Sequence, residues 1–146
     1  MAFAASSAFR TVVLVVGATA VFGGDIDVGG RWTVTNVVET TSYAPYRELQ
    51  LVFRIELEQE GAWVFGRGEK WSENGHVLPP ARRTPISLAG TLDGDRLTLR
   101  FVEAGKRRKT GGDFHWTITG HGRAMTGRFT AAAADARGRS EAIRAP

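Results

Sequence analysis

GRWTV, residues 30–34, is the stretch that decides the fold of this chain. A glycine, one polar residue and a tryptophan open a run in which apolar and polar residues alternate. Alternation with a period of two is typical of a strand with one buried face. The first strand is therefore predicted to start here, with Trp32 and Val34 directed toward the core.

The residues before this strand are typical of an export signal rather than of a folded domain. Residues 11–22 are apolar almost throughout, follow a single basic residue, Arg10, and are too short to span a bilayer comfortably. Residues 18–20 (ATA) place small side chains where a signal peptidase reads the chain. We therefore predict a signal peptide over residues 1–20, cleaved after its last residue, and a flexible, glycine-rich lead-in over residues 21–29. The alternative is an uncleaved membrane anchor; cleavage would give a secreted or periplasmic protein with no stable membrane span.

Downstream of Gly30 the same alternation recurs in short runs bounded by turn residues. The predicted strands cover residues 31–39, 48–59, 62–71, 84–92, 96–103, 113–119, 123–130 and 139–144. Most connections have hairpin length and no helical pattern separates the strands, which favours an antiparallel up-and-down meander. Closure removes both exposed edges of such a sheet. We therefore predict an all-β fold, an eight-stranded antiparallel up-and-down β-barrel over residues 30–146, with a two-sheet sandwich as the alternative.

The amino-acid composition argues against several classes of function. The 146 residues include no cysteine, which excludes disulfides, zinc–thiolate sites and cysteine nucleophiles. The net charge of +4 is spread thinly along the chain, which argues against a nucleic-acid partner. The most charged run, KRRK at residues 106–109, is interpreted as a solvated hairpin tip; contact with phosphate, an anionic lipid surface or an acidic polysaccharide is the alternative.

The predicted inward face is mostly apolar, with few polar groups and several glycines. Inward glycines either relieve crowding where strands coil sharply or shape a pocket near one mouth of the barrel. The pocket interpretation gives a ligand-binding set of Asn36, Gly66, Gly68, Gly90 and Gly127. No carboxylates, histidines or nucleophiles converge on this interior, so we predict a protein that is not an enzyme and that holds no metal and no cofactor.

Three aromatic residues, Trp63, Phe65 and Trp71, fall on the opposite face of the third strand. Exposed aromatic side chains that lie together are uncommon on a monomer. They lie beneath the loops at residues 40–47 or 72–83, or they form a surface for a protein partner or a second copy of the chain.

Gly30-X-Trp32 at the start of an eight-stranded meander resembles the opening of the calycins, the lipocalin- and avidin-type barrels. In that group an arginine near the last strand often packs across the tryptophan and closes the base of the barrel. The resemblance assigns this part to Arg144, with Arg128 as the second choice. The later tryptophan-and-threonine segments of avidins are absent, so no biotin site is implied, and the lipocalin disulfide is absent as well.

The expected function is therefore that of an exported, non-enzymatic β-barrel that binds a small apolar or amphipathic ligand at its mouth. The alternative is a protein-binding or protease-inhibitor barrel, because small exported barrels that block secreted metalloproteases also open on Gly-X-Trp and insert an N-terminal tail into the protease. Residues 21–29 would be that tail. A barrel enzyme of the cyclase kind is the third hypothesis.

Overall fold

A computed structural model describes residues 26–146; the predicted signal peptide, residues 1–20, and the first part of the lead-in lie outside them. This part of the chain forms nine antiparallel strands joined by turns and short 3-10 segments. The strands are β1 (Gly30–Thr40), β2 (Gln50–Glu60), β3 (Trp63–Glu73), β4 (His76–Val77), β5 (Pro85–Asp93), β6 (Arg96–Ala104), β7 (Lys109–Thr119), β8 (Ala124–Ala131) and β9 (Ala136–Arg144). No helix within residues 26–146 is long and apolar enough to cross a membrane.

Eight of these strands close into an up-and-down barrel. Each long strand pairs antiparallel with the next one along the chain, and the two-residue strand β4 only extends β3. β1 pairs with β2 on one side and with β9 on the other, so the sheet has no free edge apart from β4. The predicted all-β, eight-stranded antiparallel β-barrel is confirmed.

The strands follow the predicted runs, but β4 lies in a segment predicted as a loop, β9 begins at Ala136 rather than at residue 139, and the largest shift is at β7. This strand begins at Lys109 rather than at residue 113, because Gly111 and Gly112 pair with Val102 and Phe101 of β6. Two successive glycines weaken a strand in isolation, but the β6 ladder holds them in place. The basic run at residues 106–109 therefore forms a tight hairpin tip that ends on the first residue of β7.

A β-bulge in β3 sets the orientation of the side chains near its end. Lys70 pairs with Phe53 and Ser72 with Val52, so Trp71 is the extra residue. A bulge reverses the alternation of side chains beyond it. As a result, Glu73 lies on the same side of the strand as Lys70, and its side chain remains 41% exposed.

The two ends of the barrel differ. The end that we call the base carries the β2–β3, β5–β6 and β7–β8 hairpins and both ends of the domain. The opposite end, the mouth, carries the β1–β2, β6–β7 and β8–β9 connections and the link from β3 through β4 to β5. A single cluster of buried apolar side chains fills the space between them. Its aromatic members touch directly, with ring centroids of Phe114 and Trp116 4.4 Å apart and those of Phe101 and Phe114 4.8 Å apart. The interior is a packed core along most of its length.

Candidate functional site

The base is sealed by the tryptophan and the arginine that the calycin resemblance singled out. Trp32 is 1% exposed, and its indole N–H donates a 2.8 Å hydrogen bond to the carbonyl oxygen of Val28. The guanidinium carbon of Arg144 lies 4.5 Å from the centre of the Trp32 ring. Gly30 has a φ of 119°, and a Cβ atom there would lie 3.0 Å from the Arg144 guanidinium, so glycine leaves room for this contact. Cation and ring together close this end, with an attraction of about 1–2 kcal/mol when shielded from water.

The last part of the lead-in is fixed to this base. Arg144 donates hydrogen bonds to the carbonyl oxygens of Asp27 and Gly29. Val28 is fully buried, and its N–H donates to the side-chain oxygen of Gln59 at 2.9 Å. Residues 26–29 of the lead-in that we expect to be flexible therefore plug the barrel. A tail that enters a protease cleft would have to lie before residue 26.

The four inward glycines of the predicted ligand site lie where neighbouring strands approach closely. A Cβ atom at any of them would overlap a main-chain carbonyl oxygen of the adjacent strand. These positions are Gly66, Gly68, Gly90 and Gly127. Because a methyl group does not fit there, strand packing accounts for the glycines without an open pocket beside them.

Asn36, the polar member of the predicted ligand site, lies inside the barrel toward the mouth. It is 2% exposed and stands between Leu51 of β2 and Ser140 of β9 in the strand register. The Ser140 hydroxyl accepts a 2.9 Å hydrogen bond from the Trp116 indole. By contrast, Oδ1 of Asn36 is the one buried side-chain polar atom without a hydrogen-bond partner in residues 26–146. An unpaired buried acceptor costs about 1–3 kcal/mol, which makes this oxygen a binding candidate.

Charged side chains lie close to this level of the barrel. Lys70 Nζ is 3.5 Å from a carboxylate oxygen of Glu73 and 3.5 Å from one of Glu103. The side chains of Lys70 and Glu103 are only 15% and 12% exposed. We call Lys70, Glu73 and Glu103 the mouth cluster; with one cation and two carboxylates, it carries a formal charge of −1. Sequence reasoning missed it, because Glu73 lies on the same side of β3 as Lys70 only through the bulge at Trp71.

The outer face of β3 carries two exposed aromatic side chains that lie side by side. Trp63 is 67% exposed and Phe65 is 41% exposed. In the strand register Phe65 stands next to Ala89 of β5, and Val102 of the next strand, β6, is 38% exposed. We call Trp63, Phe65, Ala89 and Val102 the outer wall. The loops that the sequence offers as a cover for the aromatic residues leave both Trp63 and Phe65 open to solvent.

Trp71, the third of these aromatic residues, has a different environment. Its ring lies between two guanidinium groups, with the Arg54 carbon 3.4 Å and the Arg83 carbon 4.0 Å from the ring centre. Arg83 belongs to the loop at residues 72–83 and also donates to the carbonyl oxygen of Leu78 at 3.0 Å. The loop therefore covers Trp71, which leaves Trp63 and Phe65 as the exposed pair.

The remaining sequence candidates bring no further groups together. The basic side chains at residues 106–109 are exposed at the mouth and make no ion pair within the part of the chain that the structure describes. His115 is exposed on the outer face of β7, and His121 lies in the β7–β8 turn. Across residues 26–146, no three His, Asp or Glu side chains are grouped so as to hold a metal ion.

Comparisons of the sequence with protein families and with curated proteins add nothing to this geometry. No protein-family model matches the chain, and no curated protein matches its sequence significantly. Two places on the barrel are candidate binding sites: the exposed aromatic pair of the outer wall, and the polar groups toward the mouth.

Proposed function

We propose that this chain is an exported, non-enzymatic barrel of calycin type whose outer wall binds another protein. The observation that carries the proposal is the exposure of Trp63, at 67%, beside Phe65 on a sheet whose opposite face is the packed core. Transferring this aromatic surface out of water on binding is favourable by about 25 cal/mol per Å². Tryptophan is also among the residues that contribute most to protein interfaces.

The packed interior supports the proposal that the binding site lies on the outer surface. Large side chains fill the core, Trp32 and Arg144 seal the base, and the inward glycines leave no space at their Cβ positions. A barrel that carries a ligand inside would need an open volume of several hundred Å³. A packed barrel instead provides a rigid support for the outer wall.

The surroundings of the outer wall fit a protein partner. Glu58 of β2 is the neighbour of Phe65 on one side, and Arg100 of β6 follows Ala89 on the other. Both charged side chains are exposed. An apolar centre with a charged rim is the usual composition of a protein–protein interface.

Site-specific crosslinking tests this proposal. We expect that a photo-reactive benzoylphenylalanine at position 63, expressed in the native host and irradiated, gives a discrete protein adduct. The matched control has the same group at position 126, because Thr126 is exposed on β8, the strand four places around the ring from β3. Equal adducts from both positions, or none from position 63, would contradict the proposal.

A second candidate function is the binding of a small amphipathic ligand at the mouth. It is favoured by the two carboxylates of the mouth cluster. Because these groups accept hydrogen bonds and the cluster has a formal charge of −1, the head group of the ligand would be an amine or another donor. The packed core below the mouth limits the ligand to the rim.

Native mass spectrometry of protein purified from its host tests the second candidate. We expect the wild-type chain to retain a small-molecule adduct, and Glu103→Gln to lower its occupancy about tenfold by removing one carboxylate charge. Glu141→Gln is the control, since Glu141 is exposed on the outer face of β9. If the wild-type protein has no adduct, or if the two variants retain it equally, the mouth is not a ligand site.

A further inference from the structure

We infer that the protein bound by the outer wall is a second copy of this chain, related by a two-fold axis that runs along the strands between β3 and β5. The inference rests on the proposed function, since it names the partner of the same surface. It depends on two kinds of self-complementarity, in side-chain size and in charge, that the strand register places on this wall.

The first kind of self-complementarity is in side-chain size. The outward positions of β3 carry large residues, whereas the outward positions of β5 beside them carry small ones. In the register, Trp63 stands next to Thr91, Phe65 next to Ala89, and Arg67 next to Ser87. A two-fold axis between these strands places the β3 side of one copy over the β5 side of the other. Each large side chain then faces a small one, as close packing requires.

The second kind of self-complementarity is in charge. One row across the wall reads Glu58, Phe65, Ala89, Arg100 from β2 to β6. The same axis places Glu58 of each copy opposite Arg100 of the other and so forms two ion pairs around an apolar centre. An axis across the strands would instead place Glu58 opposite its own equivalent, which is repulsive.

Neither charged group is held by a strong interaction. Glu58 makes no ion pair within residues 26–146. Arg100 has an 80% exposed side chain, held only by a contact of 3.5 Å with Asp113. The pairing therefore breaks no strong interaction of the single barrel.

The size of the wall sets the strength of the association. Neighbouring strands lie about 4.8 Å apart, so the span from β2 to β6 is only about 15 Å. Interfaces of this size are at the small end of the range and are transient. We therefore expect a reversible dimer with a dissociation constant of about 10–100 µM, well populated only at high local concentration.

Sedimentation velocity with charge-reversed variants tests the inference. Over concentrations from about 10 µM to about 1 mM, the wild-type barrel should convert from monomer to dimer. Glu58→Arg and Arg100→Glu, each alone, should raise the dissociation constant at least tenfold, and the double variant should recover most of the loss. Glu141→Arg reverses an exposed charge on β9, the strand four places from β5 around the ring, and should have no effect.

Each result decides between the hypotheses. A wild-type barrel that stays monomeric over the whole range, or a double variant that is no better than the two singles, overturns the dimer. If the dimer is overturned, the mass of the crosslinked product from position 63 shows whether the proposed function fails as well. An adduct of twice the chain mass supports the second copy, an adduct of another mass leaves the binding wall but excludes the dimer, and no adduct excludes both. Circular dichroism of every variant verifies that the barrel is intact.

Discussion

We expect Trp32→Ala to lower the free energy of unfolding by about 3–5 kcal/mol, the range found when a large core side chain is truncated. Trp32 is 1% exposed, and its removal would leave a cavity at the base together with an unpaired carbonyl oxygen on Val28. The guanidinium of Arg144 would lose the ring on which it packs. The effect should exceed that of an average core substitution because the plug, the first strand and the last strand meet at this residue.

Urea denaturation followed by circular dichroism measures this loss. Trp63→Ala is the matched control: it removes the same side chain from an exposed position and should change the free energy of unfolding by less than about 1 kcal/mol. If Trp32→Ala costs under about 1 kcal/mol, Trp32 does not hold the base together. That result would also remove the structural basis of the calycin resemblance.

We expect Gly127→Ala to lower the free energy of unfolding by about 3 kcal/mol, at the upper end of the range for overpacking. The added Cβ atom would overlap the carbonyl oxygen of His115 and lie 3.1 Å from Cα of Trp116. Both are main-chain atoms of the paired strand β7, so no flexible side chain can move to make room. The barrel would have to shift a strand that also carries Phe114 and Trp116 of the core.

The same denaturation experiment separates packing from a pocket at this position. Gly111→Ala is the control, because the nearest atom to its Cβ, the carbonyl oxygen of Phe101, would be 3.1 Å away and need move only slightly. A pocket-lining glycine tolerates alanine, whereas a glycine at a close strand contact does not. If Gly127→Ala is as stable as Gly111→Ala, the interior has space beside Gly127 and the ligand hypothesis gains support.

The barrel was predictable because its signals are local. Alternation along residues 48–59 gives the inward face of β2, and Asp93-Gly94 gives the β5–β6 hairpin, from neighbouring residues alone. Closure then follows from the number of strands, since an open sheet of eight would leave two edges exposed. The pairing of β1 with β9 needed no residue-specific signal.

The candidate sites were only partly predictable because they depend on neighbours that are distant in sequence. The exposed aromatic pair on β3 was visible from the alternation, but whether a loop covers it depends on where residues 72–83 fold. The mouth cluster was missed because one extra residue at Trp71 places Glu73 on the same side of β3 as Lys70, and Glu103 reaches the same region only through its pairing with β5. Likewise, the inward glycines can indicate either close contact between strands or a pocket, and only the separation of the strands decides between the two.

The docking of the first strand on the last has a consequence for when the barrel can form. β1 and β9 are separated by the whole length of the domain, and Arg144 binds carbonyl groups at residues 27 and 29. Closure of the barrel therefore waits for β9, and contacts between such distant segments are slow to form. Until then, the growing meander has two open edges that invite pairing with other chains. A nascent chain of this design cannot close its barrel before β9 has been synthesised, and until then it must be kept apart from other chains with open strand edges.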